Sequence, residues 1–215
     1  YQLSNTMDFY NPYDDPSGQE EKLTKLFKDA IEQSYSEDAI EFSKYDLVVV
    51  FHAGVGQDFS LPFLDPTPED IPSTYIDEDM IQEHLGESNI IVGNHAIQKG
   101  IILPETQNHL LFDISETMFS DAENPCEYQY GITGTFSLMI GFAIGLPPLW
   151  NIQTGESGVG VFGLMDQGSN NGRGIVPAPP TAWTRLYAGW ENYALGEFGL
   201  EYSLPIRSEN SIIKI

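Results

Sequence analysis

The segment FSLMIGFAIGLPP, residues 136–148, is apolar along almost its whole length. A helix that is apolar all round is typical of the middle of a domain. Gly145, followed by Leu146 and two prolines, supplies a C-terminal glycine and residues that cannot continue the helix. The segment is also far too short for a transmembrane span, which needs about 20 apolar residues. It therefore predicts a buried helix at residues 131–145.

The segments around this helix predict a mixed α/β domain. Leu23, Leu26, Phe27 and Ile31 recur at helical spacing within 19–36, which indicates an amphipathic helix. The run LVVVF, residues 47–51, has no polar alternation and predicts a strand buried on both faces. Further expected elements are strands within 89–103 and 109–113, helices at 77–85 and 181–189, a long surface loop at 59–73 and strand-like pieces within 199–215. We expect a main domain at 1–195, and C-terminal strands at 196–215 that lead into a further domain or partner.

The charge of the chain limits its partners. It carries 32 acidic residues against 9 basic ones, for a formal net charge of −23. Such a surface repels nucleic acid and anionic membranes, so neither nucleic-acid binding nor membrane insertion is expected. Carboxylates favour calcium, with Asp14, Asp15 and Asp58 as candidate ligands, although solvated surface charge is the favoured interpretation for each. Cys126 is the single cysteine, which excludes an intrachain disulfide.

Three segments, in this order, carry a resemblance to a known family. YDLVVVFHAGVGQD, residues 45–58, resembles a strand that ends in a His-Ala-Gly-x-Gly-x-acidic turn. FAIGLPPLWN, residues 142–151, is similar to a Gly-Leu-Pro-Asp-Leu-Tyr-Asp pattern that follows a zinc-binding helix. GVGVFGLMDQGS, residues 158–169, with AWTRL at 182–186 and Gly189-Trp190, is similar to a methionine turn, an Ala-Trp helix and a Gly-Trp ending. Together the segments resemble the immune inhibitor A-type family of secreted bacterial metallopeptidases.

The resemblance implies a zincin fold, with a twisted mixed sheet, a backing helix at 19–36 and a former active-site helix at 131–145. In the family this helix carries His-Glu-x-x-His, in which the histidines bind zinc and the glutamate polarises water. Aligned on the Gly-Leu-Pro at 145–147, these positions are occupied by Leu138, Met139 and Phe142. Pro148 stands where the family has an aspartate, and Met165 corresponds to the methionine turn.

These replacements remove the chemistry of the zinc site. Leu138 and Phe142 offer no nitrogen, oxygen or thiolate to zinc, and Met139 has no carboxylate to act as a base. Burying each of these side chains contributes about 1.5–3 kcal/mol, so an apolar core can replace a metal-centred one. We therefore expect no cofactor at the former zinc site. The resemblance implies a catalytically inactive domain that serves as a binding or structural module of a secreted or cell-surface bacterial protein.

Two alternatives stay open. One is an active hydrolase with a relocated catalytic or metal site, built around His52, Glu105 or His109, although for His52 a structural histidine bonded to backbone is favoured. The other is a self-assembling surface or filament protein whose acidic face is held by calcium. A protein or glycan partner is possible in either case. Aromatic residues that could line a groove, with packing favoured as their use, are Tyr10, Tyr13, Phe59, Phe63, Trp150 and Trp190.

Overall fold

The computed structural model describes residues 1–12, 15–58, 68–107, 131–203 and 212–214. Within them the chain is mixed α/β, as the sequence predicts. The helices are α1 (Met7–Tyr10), α2 (Gln19–Asp38), α3 (Glu78–Leu85), α4 (Thr133–Ala143) and α5 (Ala182–Tyr187). The strands are β1 (Val48–Gly56), β2 (Thr74–Ile76), β3 (Ile90–Val92), β4 (His95–Ile97), β5 (Gly100–Gln107), β6 (Ala194–Leu195) and β7 (Ile213–Lys214).

The main sheet is mixed and small. Its order is β1-β5-β2, with β1 parallel and β2 antiparallel to β5. The register pairs Val48 with Gly100 and Phe51 with Leu103, and it shifts between His52 and Val55. The prediction that the run at 47–51 is buried on both faces is wrong. Within the described part of the sheet, β1 is an edge strand and is only partly buried, whereas the central strand β5 is the buried one.

The side chains of β5 alternate between the two faces of the sheet, and a helix packs on each face. Ile102 packs into a cluster with Phe27 and Ile31 of α2, whereas Ile101 and Leu103 point the other way. The cluster on that second face includes Phe136, Met139 and Ile140 of α4 as partly buried neighbours. Because successive strand residues face opposite sides, one strand serves both clusters. The result is three layers, with α2, the sheet and α4 stacked in that order.

The backing helix α2 agrees with its prediction and extends two residues further. Glu20 and Glu21 lie in its first turn, where a negative charge interacts favourably with the helix dipole. Its apolar stripe is buried, with Phe27 fully inaccessible to solvent. The helix ends where Ala39 adopts a left-handed conformation with φ 51°. This helix therefore packs on one face of the small sheet.

Helix α4 begins and ends close to the predicted residues but is less buried than predicted. Gly145 follows its end with φ +88°, a conformation that favours glycine. Most of its apolar side chains are only partly covered, because the helix lies on the second face of the sheet and also forms one wall of a cleft. Its fully buried positions include Gly134 and Gly141. A Cβ at Gly134 would lie 1.7 Å from the carbonyl oxygen of Ser169, so this glycine permits close approach of the chain that follows α4.

The remaining predictions have mixed outcomes. The helices predicted at 77–85 and 181–189 are observed as α3 and α5, and both begin after a side-chain cap, from Asp77 and Thr181 respectively. The 89–103 region contains β3, β4 and the start of β5. The strand predicted at 109–113, Cys126 and most of the 59–73 loop lie outside the described residues. At the C-terminal end β6 pairs in parallel with β7, and the domain boundary after residue 195 stays a prediction. No helix of the described ranges is long and apolar enough to cross a membrane.

Candidate functional site

A cleft of about 430 Å³ opens between α4, the ends of two strands and the chain that follows α4. The parallel strands β1 and β5 both end at this edge of the sheet. One wall is the cleft-facing side of α4, and the opposite wall is the loop at 150–170. The lining side chains combine hydrocarbon, one indole ring and several polar groups: Asp58, Gln107, Thr135, Leu138, Met139, Trp150, Asp166, Gln167, Ser169 and Asn170.

Three hydrogen bonds from other described residues hold Asp58 at the end of β1. Ser73 donates its backbone N–H to Oδ1 at 2.6 Å and its hydroxyl to Oδ2 at 2.8 Å. Gln107, the last residue of β5, donates Nε2–H to Oδ2 at 2.6 Å. Burial raises the pKa of Asp58, although the hydrogen bonds from Ser73 and Gln107 and the nearby His52 act in the opposite direction. The net effect on the pKa is upward, so the cleft contains a carboxyl group whose protonated form is favoured by burial.

Gln107 connects this carboxyl group to helix α4. Its amide nitrogen also donates to the hydroxyl of Thr135 at 2.5 Å. Gln107 is only 4% exposed, yet its carbonyl oxygen Oε1 has no hydrogen-bond partner among the described residues. A buried unpaired acceptor costs about 1–3 kcal/mol. This oxygen is inaccessible to solvent and lies close to Gly174, so it does not open into the cleft.

Asp166 organises the opposite wall. Its Oδ2 accepts hydrogen bonds from the Ser157 hydroxyl at 2.8 Å and from the N–H groups of Val159 at 2.7 Å and Gly160 at 2.9 Å. It also accepts from the N–H of Gly158 at 3.0 Å, and Oδ1 accepts from the N–H of Gln167 at 2.7 Å. Burial by itself would raise the pKa of Asp166, but these donors outweigh it and hold the pKa below its ordinary value. With five donors around one carboxylate, Asp166 fixes the glycine-rich loop that forms this wall of the cleft.

Of the three positions aligned with the zinc motif, two line the cleft and the third packs against a residue that lines it. Leu138 and Met139 line the cleft. Phe142 packs edge-on against Trp150, with ring centroids 5.8 Å apart, and also contacts Tyr75. Leu138 and Met139 thus form an apolar wall of the cleft, and Phe142 supports it.

Two further positions named by the resemblance are Met165 and Pro148. Met165 is fully buried, and a Cβ at Gly141 would lie 2.5 Å from its sulfur, so this methionine packs beneath α4. Pro148 is half-buried in the irregular segment after the helix.

Two of the three residues named for a relocated catalytic site lie in the described part of the chain, and both contact backbone atoms there. Both ring nitrogens of His52 lie near backbone oxygens, 3.1 Å from that of Ala53 and 3.0 Å from that of Ile71. Glu105 accepts the N–H of Gly54 at 3.1 Å at an exposed position. His109 lies outside the described residues. The backbone-bonded interpretation of His52 agrees with these contacts.

The calcium candidates have separate surroundings. Asp15 accepts hydrogen bonds from Ser17 and Gly18 just before α2, whereas Asp58 is bonded to Ser73 and Gln107. Asp14 lies outside the described residues. Across those residues, no three or more His, Cys, Asp or Glu side chains are grouped so that they could hold a metal ion. Calcium binding stays a prediction.

Comparison with protein-family models, with curated proteins and with solved structures finds no match to this chain. A function for the chain is therefore inferred from the sequence resemblance and the geometry of the cleft.

Proposed function

We propose that the chain is a catalytically inactive metallopeptidase-like domain with a zincin-type fold, and that it serves as a binding module of a secreted or cell-surface protein. The observation that carries this proposal is the position of Leu138 and Met139. Both line the cleft between α4 and the edge of the sheet, where the family resemblance calls for a zinc ligand and a catalytic glutamate. A zinc peptidase at these positions would lack its donors and its base.

The surrounding architecture supports the same proposal. The backing helix α2 and the helix α4 both pack on a mixed sheet, and these are the elements that the resemblance calls for. Met165 packs beneath α4 at Gly141, as a methionine turn below a zinc site would.

A retained cleft favours binding over a purely structural role. Apolar walls with a few convergent polar groups are typical of ligand sites, and the volume of about 430 Å³ is within their usual range. Leu138, Met139 and Trp150 supply apolar surface, while Asp58 and Gln107 supply polar groups. The loss of catalytic residues therefore leaves a shaped binding surface.

The test is metal content and peptidase activity of the natural chain, purified without chelator and dialysed against trace zinc and calcium. We expect substoichiometric zinc and no hydrolysis of a quenched fluorescent casein substrate. About one zinc per chain, together with hydrolysis that a chelator abolishes, would overturn the proposal.

A rebuilt variant tests the alignment on which the proposal rests. Leu138→His, Met139→Glu, Phe142→His and Pro148→Asp together restore the pattern of the family. If the alignment is correct, this variant binds about one zinc per chain and the natural chain does not. A matched control carries Met139→Gln in place of Met139→Glu, and should bind zinc without hydrolysing substrate. A folded rebuilt variant that binds no zinc would contradict the alignment.

A further inference from the structure

We propose that the edge of β1 that faces away from β5 binds an extended segment of a partner polypeptide, apolar in its middle and flanked by basic residues, as an added strand of the sheet. This inference goes beyond the proposed function, because it concerns a second surface. The groove along β1 and the cleft beside α4 have no lining residue in common in the described part of the chain.

A groove of about 460 Å³ runs along this edge of β1, and all of residues 47–51 line it. Val48 and Val50 pack with the cluster on the α2 side of the sheet, whereas Leu47 and Val49 pack with the cluster on the α4 side. A single groove can contact both sets of side chains only along an edge of the strand. Parallel pairing with β5 occupies the other edge. The groove therefore lies where a further strand of the sheet would lie.

The sequence of this edge suits pairing with another chain. An edge strand offers backbone N–H and C=O groups to an extended chain, and proteins commonly protect such edges with a charge, a proline or a bulge. Residues 47–51 contain no charged residue and no proline, and the register with β5 shifts only between His52 and Val55. Phe51 is 54% exposed. The edge over residues 47–51 is therefore regular, apolar and open to a partner strand.

The wall that α2 contributes leaves room for the side chains of an added strand. Ala30 and Ser34 line the groove and lie four residues apart, on the same face of the helix. Both side chains are small, and the Ser34 hydroxyl already donates to the backbone oxygen of Ile31 at 2.9 Å. The described lining is aliphatic, aromatic or hydroxyl-bearing and includes no charged side chain. The middle of the partner segment should therefore be apolar and rich in β-branched residues, which pack well on a pleated surface.

Charge at the rim of the groove selects a basic partner. Asp46 is exposed and directly precedes residues 47–51. Asp38 is also exposed, and it accepts a hydrogen bond at 2.5 Å from the phenol of Tyr1, which lines the groove. Lysine or arginine on both sides of the apolar middle is attracted to this rim, whereas a second copy of the chain carries the same net charge of −23 and is repelled. Charge complementarity therefore favours a basic partner over self-association.

The experiment uses the full chain and the peptide acetyl-Lys-Lys-Val-Thr-Val-Thr-Val-Lys-Lys-amide, with binding followed by isothermal titration at about 0.15 M salt. Alternate residues of a strand direct their N–H groups to opposite edges, so N-methylation of the valines blocks one edge of the peptide and N-methylation of the threonines blocks the other. The peptide can add to the sheet through either edge. We expect at least one singly blocked analogue to bind within about threefold of the parent peptide, and the analogue blocked on both edges to bind at least about tenfold more weakly, because it retains every side chain but loses the backbone hydrogen bonds. Tight binding of the doubly blocked analogue overturns the inference.

Two further arms locate the peptide and test the charge. Ala30→Leu, which places a larger side chain in the groove while keeping a good helix former, should weaken binding of the parent peptide at least about fivefold. Ser36→Leu, at an exposed position of the same helix, is the matched control and should leave the affinity unchanged. Glutamate in place of the four lysines should weaken binding at least about tenfold, and the difference should shrink at about 0.5 M salt. Unchanged affinity in Ala30→Leu, or equal affinity for the two kinds of flank, contradicts the inference.

Sedimentation equilibrium distinguishes a partner from a second copy of the chain. At about 0.15 M salt we expect the natural chain to sediment as a monomer, because the like net charges repel. A dimer that Ala30→Leu disperses would assign the groove to a second copy and would overturn the assignment to a basic partner.

Discussion

Replacing Asp166 by asparagine tests the role assigned to the carboxylate at the centre of the glycine-rich loop. Four of its five donors converge on Oδ2 and the fifth bonds to Oδ1. An asparagine oxygen in the place of Oδ2 keeps four bonds but loses their charge assistance, and its NH₂ group then faces the N–H of Gln167. Charge-assisted bonds are about twice as strong as neutral ones, at about 1.5–3 against 0.5–1.5 kcal/mol. We expect Asp166→Asn to lower the free energy of unfolding at pH 7 by about 4 kcal/mol, allowing for non-additivity.

The pH dependence provides a second measurement of the same interaction. Because the pKa of Asp166 is lower in the folded state than its ordinary value, its contribution is fully present above the ordinary value and is lost as the pH falls through the folded-state pKa. Urea unfolding, followed by tryptophan fluorescence at several pH values, should therefore show the natural chain and Asp166→Asn converging in acid. Glu156→Gln, at an exposed position of the same loop, is the matched control and should change stability by less than about 0.5 kcal/mol. A difference below about 1 kcal/mol at pH 7, or one that does not shrink in acid, would refute the reasoning.

Two further substitutions test the packing of α4 and the polar group of the cleft. Gly134→Ala should destabilise the fold by about 2 kcal/mol, despite a gain of about 1 kcal/mol in helix propensity, because the new Cβ would lie 1.7 Å from the backbone oxygen of Ser169. Urea unfolding measures this loss. The control Ser137→Ala, in the same helix, should leave the free energy of unfolding nearly unchanged. Asp58→Asn should leave stability at pH 7 within about 1 kcal/mol of that of the natural chain, since it removes the cost of burying a charge but turns its NH₂ group towards a donor that the carboxylate accepts, either the Ser73 N–H or the Gln107 amide. The raised pKa of Asp58 means that the folded state binds more protons, so stability falls as the pH rises from the ordinary value to the folded-state pKa. Asp58→Asn should abolish that slope in unfolding curves measured from pH 3 to 8, and a marked loss of stability at pH 7 would contradict this account.

The helices were the most predictable part of the fold, because their signals are local. The 3.6-residue spacing within 19–36 and the glycine at 145 each act within one element, and both α2 and the end of α4 agree with their predictions. The burial of the strands was less predictable. An apolar run such as 47–51 looks the same whether it lies at the centre or at the edge of a sheet, and the structure assigns the central position to β5 instead.

The candidate site was harder to predict than the fold, because its residues are distant in sequence. The sequence marks Asp58 as the acidic residue of the His-Ala-Gly turn and as a calcium candidate, but not as a partner of Gln107, and Gln107 and Thr135 carry no local signal. The hydrogen bonds that join them span 49 and 28 residues. Asp166 belongs to a segment singled out for its resemblance, but no pattern in the sequence indicates that four loop donors fold back onto one carboxylate oxygen.

The topology of the sheet explains why the polar groups meet where they do. Strands β1 and β5 are parallel, so their carboxyl ends lie at the same edge of the sheet. Asp58 follows the end of β1 and Gln107 is the last residue of β5, which brings the two side chains to within 2.6 Å of each other. Crevices at the carboxyl ends of parallel strands are where ligands bind in open α/β sheets. The position of the cleft thus follows from strand direction, whereas its chemistry depends on two polar residues at strand ends and on the apolar wall that α4 presents to them.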